Sequence, residues 1–175
     1  RVVIIGGGFA GLALADKLCG DHFQVVLVDR HNYHQFQPLL YQVASAGLEP
    51  SSISFPFRKN FSKKRNFYFR MAAVTRILSD QNYIETPIGT LSYDYLVIAA
   101  GTTTNFFGNE NIRKAALPMK SVEEALTLRN TLLYNLERAL DCTDADQKQA
   151  LLNIVIVGGG ATGVEIAGAL SEMKR

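Results

Sequence analysis

Three glycines near the amino terminus, Gly6, Gly8 and Gly11, are spaced G-x-G-x-x-G, with Gly7, Phe9 and Ala10 between them. Each has a separate mechanical task in a loop that cradles phosphate. The first permits a tight turn off a strand, the second lets backbone approach a pyrophosphate, and the third lets a helix pack closely on its strand. A helix opening here would turn unpaired N–H groups and its positive dipole end toward the phosphates. Asp29, where the next strand-like run ends, is placed to accept hydrogen bonds from a pair of ribose hydroxyls. The spacing recurs at Gly158, Gly160 and Gly163. The acid that would complete this second site belongs about 20 residues further on, past Arg175, so the second module is expected to be only begun in these residues. Two such loops in one chain imply two cofactors that exchange electrons. A simple dehydrogenase needs one, so the pair points to a flavoprotein, with FAD in the first site and NAD(P)H in the second.

The elements that must position these loops are legible around them. Residues 2–5 and 24–28 are short β-branched runs of the kind buried on both faces of a parallel sheet. With a helix over 9–19 between them they make one strand–turn–helix–strand unit ending on an acid. A helix is expected from Pro50 to about Phe61, short strands at 67–71, 74–78 and 83–86, and a turn at 87–89. Residues 95–100 form the next buried strand, broken by Gly101. A helix over 121–140 opens on a capping box, Ser121 with Glu124, and carries an apolar stripe of Val122, Leu126, Leu132, Leu133, Leu136 and Leu140. Residues 142–149 read as a linker, 153–157 as a strand and 164–174 as a helix.

The fold class expected is α/β: a three-layer, Rossmann-like FAD-binding fold with a small antiparallel β insertion around 67–91, followed by the first βα unit of a second Rossmann-like domain. The division expected is 1–120 for the first domain and 121–175 for the second.

Composition narrows the function classes. The 175 residues are 47% hydrophobic and 19% charged, with a net charge of +2, so no global field favours nucleic acid. No apolar run approaches the ~18 residues of a membrane span. Cys19 and Cys142 stand alone without a CxxC or a His/Cys cluster, which speaks for a reducing compartment and against a zinc site. The expected location is the cytoplasm or the cytoplasmic face of the cell membrane.

Several stretches resemble a known family. DYLVIAAG (94–101) is similar to the strand-and-glycine motif beside the flavin in the FAD-dependent pyridine nucleotide–disulfide oxidoreductases. Within them, NYHQFQPLLYQVA (32–44), TTNFFG (103–108) and GGGATGVE (158–165) resemble the type II NADH dehydrogenases, or NADH:quinone oxidoreductases. The resemblance implies a non-proton-pumping enzyme passing a hydride from NADH to FAD and electrons on to a quinone at a membrane surface. It implies that Gly6, Gly7, Gly8, Phe9, Ala10 and Gly11 hold the FAD pyrophosphate, Asp29 and Arg30 the adenosine ribose end, and Val74 the adenine through its backbone. Gly101 would lie beside the flavin. Gly158, Gly160 and Gly163 would hold the nicotinamide nucleotide, and Glu165, the catalytic candidate, matches a glutamate near flavin and nicotinamide. Assembly as a homodimer is left open.

Three other readings compete. Disulfide reductases share the fold but need a redox-active cysteine pair, which Cys19 and Cys142 do not supply. Sulfide:quinone, ferredoxin and rubredoxin reductases remain as relatives of the same fold. From a different class, residues 55–70 hold six basic residues (Arg58, Lys59, Lys63, Lys64, Arg65, Arg70), six aromatics and no acid. That mixture suits an anionic bilayer or single-stranded nucleic acid. It also suits an amphipathic helix and a strand with aromatics inward and Lys/Arg outward. His34 is either a proton donor near the flavin or a residue that only fixes its loop, and Tyr41 and Gln42 are open to the same two readings.

Overall fold

A computed structural model describes residues 1–20 and 22–173. In chain order its elements are β1 (Val2–Ile5), α1 (Phe9–Leu18), β2 (Val25–Asp29), β3 (Tyr33–Gln35), α2 (Leu40–Ala44), β4 (Ser54–Pro56), α3 (Phe57–Asn60), β5 (Phe67–Met71), β6 (Arg76–Leu78), β7 (Tyr83–Thr86), β8 (Gly89–Ser92), β9 (Tyr95–Ile98), α4 (Glu110–Ala115), α5 (Val122–Asp141), α6 (Ala145–Leu152) and α7 (Ala161–Met173). The chain forms two compact units, one of residues 1–35 with 54–102 and one of 36–53 with 103–175.

The first unit is built on a four-stranded parallel sheet in the order β5-β2-β1-β9. The β-branched runs of β1 and β2 are buried on both faces, as an interior parallel strand requires. On one face Val2, Ile4, Val25 and Leu27 pack with Ala15 of α1 and with Phe57, Phe61 and Phe69. On the other, Val3, Val26 and Val28 pack with Ile84 of the antiparallel sheet β6-β7-β8. This is the three-layer arrangement expected.

Two expectations for this unit need correction. Residues 67–71 are not part of the antiparallel insertion: they form β5, the parallel edge strand beside β2, with Leu27 opposite Phe69. With β2 covering only one edge of it, β5 buries Phe69 and leaves Tyr68 and Arg70 exposed. Residues 50–61 are not one helix either. A 3₁₀ turn at Pro50–Ser52 leads into β4, which pairs antiparallel with β3, and only Phe57–Asn60 is helical. Pro56 has no N–H to give a helix and disfavours the helical region for Phe55 before it.

The second unit is helical among its described residues. Ser121 Oγ caps α5 by accepting from Glu124 N at 3.2 Å, while the Glu124 carboxylate accepts the Lys120 N–H at 2.6 Å, one residue earlier than a standard capping box. α5 packs on α2 and α6, and α2 also on α7. The buried residues of α5 are Val122, Ala125 and Ala139; of the expected stripe Val122 is buried and Leu126 and Leu132 half-buried, whereas Leu133, Leu136 and Leu140 are exposed. Of residues 142–149, expected as a linker or loop, 142–144 are irregular and the rest is helical. Asp144 accepts from Asp146 N and Gln147 N and so starts α6. Residues 153–157 form no strand, because no strand lies beside them among the described residues to supply a ladder, and Val155 is 84% exposed. Helix α7 opens earlier than expected, at Ala161, and Lys174 lies outside the described residues.

Candidate dinucleotide site

The first glycine loop runs from the end of β1 into α1, and each glycine meets a different constraint. Gly6 has φ +98°, and a Cβ there would stand 2.3 Å from the Ala99 carbonyl oxygen. At Gly11 a Cβ would stand 1.9 Å from the Gly6 carbonyl oxygen, so only glycine lets α1 fold back onto the turn. A Cβ at Gly7 would enter the Phe57 ring, 2.1 Å from Cζ. Gly8 differs, because a Cβ on it meets no atom within 4 Å. Gly8 is also the N-cap of α1 and no side chain caps it. The backbone is therefore bare where an anion would sit, against the positive end of a ten-residue helix.

Asp29 reaches this loop from the end of β2. Its Oδ2 accepts the Gly7 N–H at 2.6 Å and its Oδ1 the His31 N–H at 2.8 Å. The carboxylate thus ties the loop to the sheet, and each oxygen keeps lone-pair capacity for a further donor. Arg30, next in the chain, is exposed. Val74 lies between β5 and β6, where its side chain packs on the core face that holds Val3 and Val28. The Ala72 N–H donates to Asp29 O at 2.8 Å, which holds this segment beside the end of β2. Gly101 follows β9 with φ +72° and nothing within 4 Å of a Cβ. The nominated residues of this unit therefore lie at the carboxyl ends of the four parallel strands, where doubly wound sheets bind ligands.

The second loop belongs to the other unit and repeats the same turn. Gly158 has φ +109°, and a Cβ at Gly163 would stand 2.2 Å from Gly158 O and 3.6 Å from Ile156 Cγ2. The matching values at Gly11 are 1.9 Å to Gly6 O and 3.3 Å to Ile4 Cγ2. Gly160, like Gly8, has nothing within 4 Å. Glu165 is exposed on α7.

Two contributors to the first loop escape the glycine spacing. His34 on β3 is buried, its Nδ1 2.9 Å from Gly7 O and its ring edge-on to Phe9 at 5.1 Å and 81°. Phe57 fills the space beside Gly7. The one available signal for Phe57 is the middle glycine of Gly6-Gly7-Gly8, which G-x-G-x-x-G does not require.

The cysteines and the basic segment take their places in the fold. Burial pushes the Cys19 thiol up from its ordinary value, away from the thiolate that redox chemistry uses. In residues 55–70, Phe57, Phe61 and Phe69 are buried, Arg58 lies over Phe69 at 4.9 Å, and Lys64 pairs with Asp16 at 2.7 Å. Phe57, Phe61 and Phe69 thus point inward, whereas Phe55 and Tyr68 are exposed beside the cations, and the segment is not the expected helix. No group of three or more His, Cys, Asp or Glu among the described residues could hold a metal.

A model of the pyridine nucleotide-disulphide oxidoreductase family matches residues 1–175. The chain belongs to this family. Among its relatives it is 40% identical to a type II NADH:quinone oxidoreductase of Mycobacterium tuberculosis, over 99% of this chain and 38% of that protein. It is 34% identical to the type II NADH:quinone oxidoreductase of Haemophilus influenzae, over 97% of this chain and 44% of that one. A solved structure of NDH2 from Plasmodium falciparum in complex with NADH superimposes with a TM-score of 0.89 at 29% identity, covering 98% of this chain and 37% of that chain. The chain thus spans about two-fifths of these relatives. The resemblance and fold class read from the motifs are borne out.

Proposed function

We propose that these residues are part of an FAD-dependent NADH:quinone oxidoreductase that does not pump protons. The observation that carries this reading is the pair of glycine loops, each closing in the same way and each leaving the second glycine of its spacing, Gly8 or Gly160, open toward a phosphate. The bare Gly8 and the uncapped start of α1 fit a dinucleotide pyrophosphate. In this reading residues 1–120 are the FAD domain and 121–175 begin the NADH domain.

Bound FAD would supply the electron carriage, taking two electrons with a hydride and releasing them to a quinone. The chain's own residues bind and orient. The loop from Gly6 to Gly11 would hold the pyrophosphate through backbone at the start of α1, Gly8, Phe9 and Ala10 included, since the Gly6 and Gly7 N–H groups already donate to Val28 O and Asp29. Asp29 and Arg30 would take the ribose end, the Val74 backbone the adenine edge, and Gly101 would allow close approach beside the ring system. Gly158, Gly160 and Gly163 would hold NADH, and Glu165 would help orient its nicotinamide. No side chain need act as nucleophile; the protein's contribution is alignment of donor and acceptor.

The electron acceptor proposed is a quinone reached at the cytoplasmic face of a membrane, without contact to nucleic acid and with homodimer formation open. No helix among the described residues is long and apolar enough to cross a membrane. The test is anaerobic: NADH should bleach the bound flavin, and a water-soluble quinone should restore its colour. Bleaching without quinone-dependent recovery would move the acceptor to a protein.

A further inference from the structure

We propose that His34 is a positioning residue for the anion-binding loop, acting through the peptide between Gly7 and Gly8 to aim the Gly8 N–H at the cofactor's phosphate. The inference rests on the FAD reading above and adds a residue to it. A carbonyl oxygen can only accept, so the contact from His34 Nδ1 to Gly7 O at 2.9 Å requires the proton on Nδ1. No described peptide is cis, and in a trans peptide C=O and N–H point in opposite directions. Holding Gly7 O toward the imidazole therefore turns the Gly8 N–H away from it. That N–H belongs to Gly8, the glycine of the first loop on which a Cβ would meet nothing within 4 Å.

The rest of the Gly7 environment removes the alternatives. Its N–H is taken by Asp29 at 2.6 Å, and the Phe57 ring fills the position of its missing Cβ. With N–H, Cα and C=O each engaged, neither adjacent peptide can rotate without breaking a contact. His34 and Phe57 arrive together because β3 and β4 pair, with His34 opposite Phe55 and the Phe57 N–H donating to Asn32 O at 3.1 Å. The β3–β4 hairpin is in this sense a brace for the loop. His34 is 5% exposed and edge-on to Phe9, so its rotamer is fixed by packing.

Packing and hydrogen bonding are separable by two substitutions. His34→Phe keeps a ring of similar size and removes the donor. His34→Asn loses ring volume and keeps an amide nitrogen near the position of Nδ1. The complete protein, stripped of flavin, is titrated with FAD, ADP and adenosine while its thermal unfolding is recorded. The expected result is that His34→Phe weakens both FAD and ADP about tenfold, the scale of one hydrogen bond. Adenosine, which has no phosphate, should bind all three proteins alike, and His34→Asn should stay within about threefold of wild type. Equal losses in both variants, a larger loss in His34→Asn, or no loss in either would overturn the proposal. Failure of the underlying reading looks different: wild-type protein that neither purifies with flavin nor takes it up.

Discussion

The two glycine loops share one turn and differ in what surrounds it. In both, the third glycine of the spacing comes within about the same distance of the first one's carbonyl oxygen, 1.9 Å at Gly11 and 2.2 Å at Gly163, measured from a Cβ it does not have. In the first, the flanking strand is paired on both sides, and Ala99, Phe57, Asp29 and His34 press on Gly6 and Gly7. In the second, residues 153–157 form no strand, and Gly158 and Gly159 have nothing within 4 Å of a Cβ. The turn is thus a local property of the spacing, whereas the brace is a tertiary property of one site.

The sharpest way to break this comparison is at the first glycine of each loop. Gly6→Ala meets both a positive φ and the Ala99 carbonyl, so strain of about 1–2 kcal/mol adds to overpacking of about 1–3 kcal/mol. Gly158→Ala meets only the strain, about 1–2 kcal/mol. Urea unfolding followed by circular dichroism should rank Gly6→Ala clearly below Gly158→Ala, and equal losses would mean that the paired sheet adds nothing to the turn.

The third glycine should erase the difference. Gly11→Ala and Gly163→Ala both drive a methyl into a backbone oxygen, which cannot rotate away as a side-chain end can. Losses of about 2–3 kcal/mol are expected at each, and closely similar to one another. A tolerant Gly163 beside an intolerant Gly11 would show that the second turn is not closed in the same way.

At the middle glycine the loops should part again. Gly7→Ala should cost about 1–3 kcal/mol through the Phe57 ring, and Gly159→Ala less than about 1 kcal/mol. Because the obstacle at Gly7 is a side chain, the loss should shrink in a Phe57→Ala background, itself destabilised by about 3–5 kcal/mol. A double-mutant cycle reads this coupling, and additivity would remove Phe57 from the brace.

These contrasts mark what the sequence could convey. The spacing of Gly6, Gly8 and Gly11, the Val/Ile runs of β1 and β2, and Asp29 at a strand end are local patterns, and each lies where its pattern implies. The same is true of Ser121 and Glu124 at the start of α5. The antiparallel β3–β4 pair was not legible, because three residues on each strand carry too little periodicity. The placement of β5 required knowing which strand it would lie beside, a long-range fact about β2. The leucines of α5 misled because a helical stripe marks an apolar face without saying how much of it is covered. At the site, the sequence leaves His34 two roles, and its contact with Gly7 O is a fact of the fold that no spacing conveys. Phe57 was invisible as a contributor until its ring stood against Gly7.

The smallest stability effect should accompany the largest effect on binding, at the second glycine of each spacing. A methyl on Gly8 or Gly160 meets no protein atom within 4 Å, and Gly8 has φ −68°, a value any residue adopts. Gly8→Ala should therefore change unfolding by no more than about 1 kcal/mol, the range of an N-cap exchange. Its methyl would instead occupy the space a phosphate needs, so FAD affinity should fall at least about tenfold, more than 1.4 kcal/mol. Gly160→Ala should leave flavin content intact and raise the KM for NADH by a similar factor, while the rate at saturating NADH changes less. If Gly8→Ala lowers stability and leaves FAD binding alone, the bare glycine is a feature of the turn and the phosphate reading of the first loop fails. If Gly160→Ala changes neither NADH dependence nor stability, the two loops share a shape and not a task.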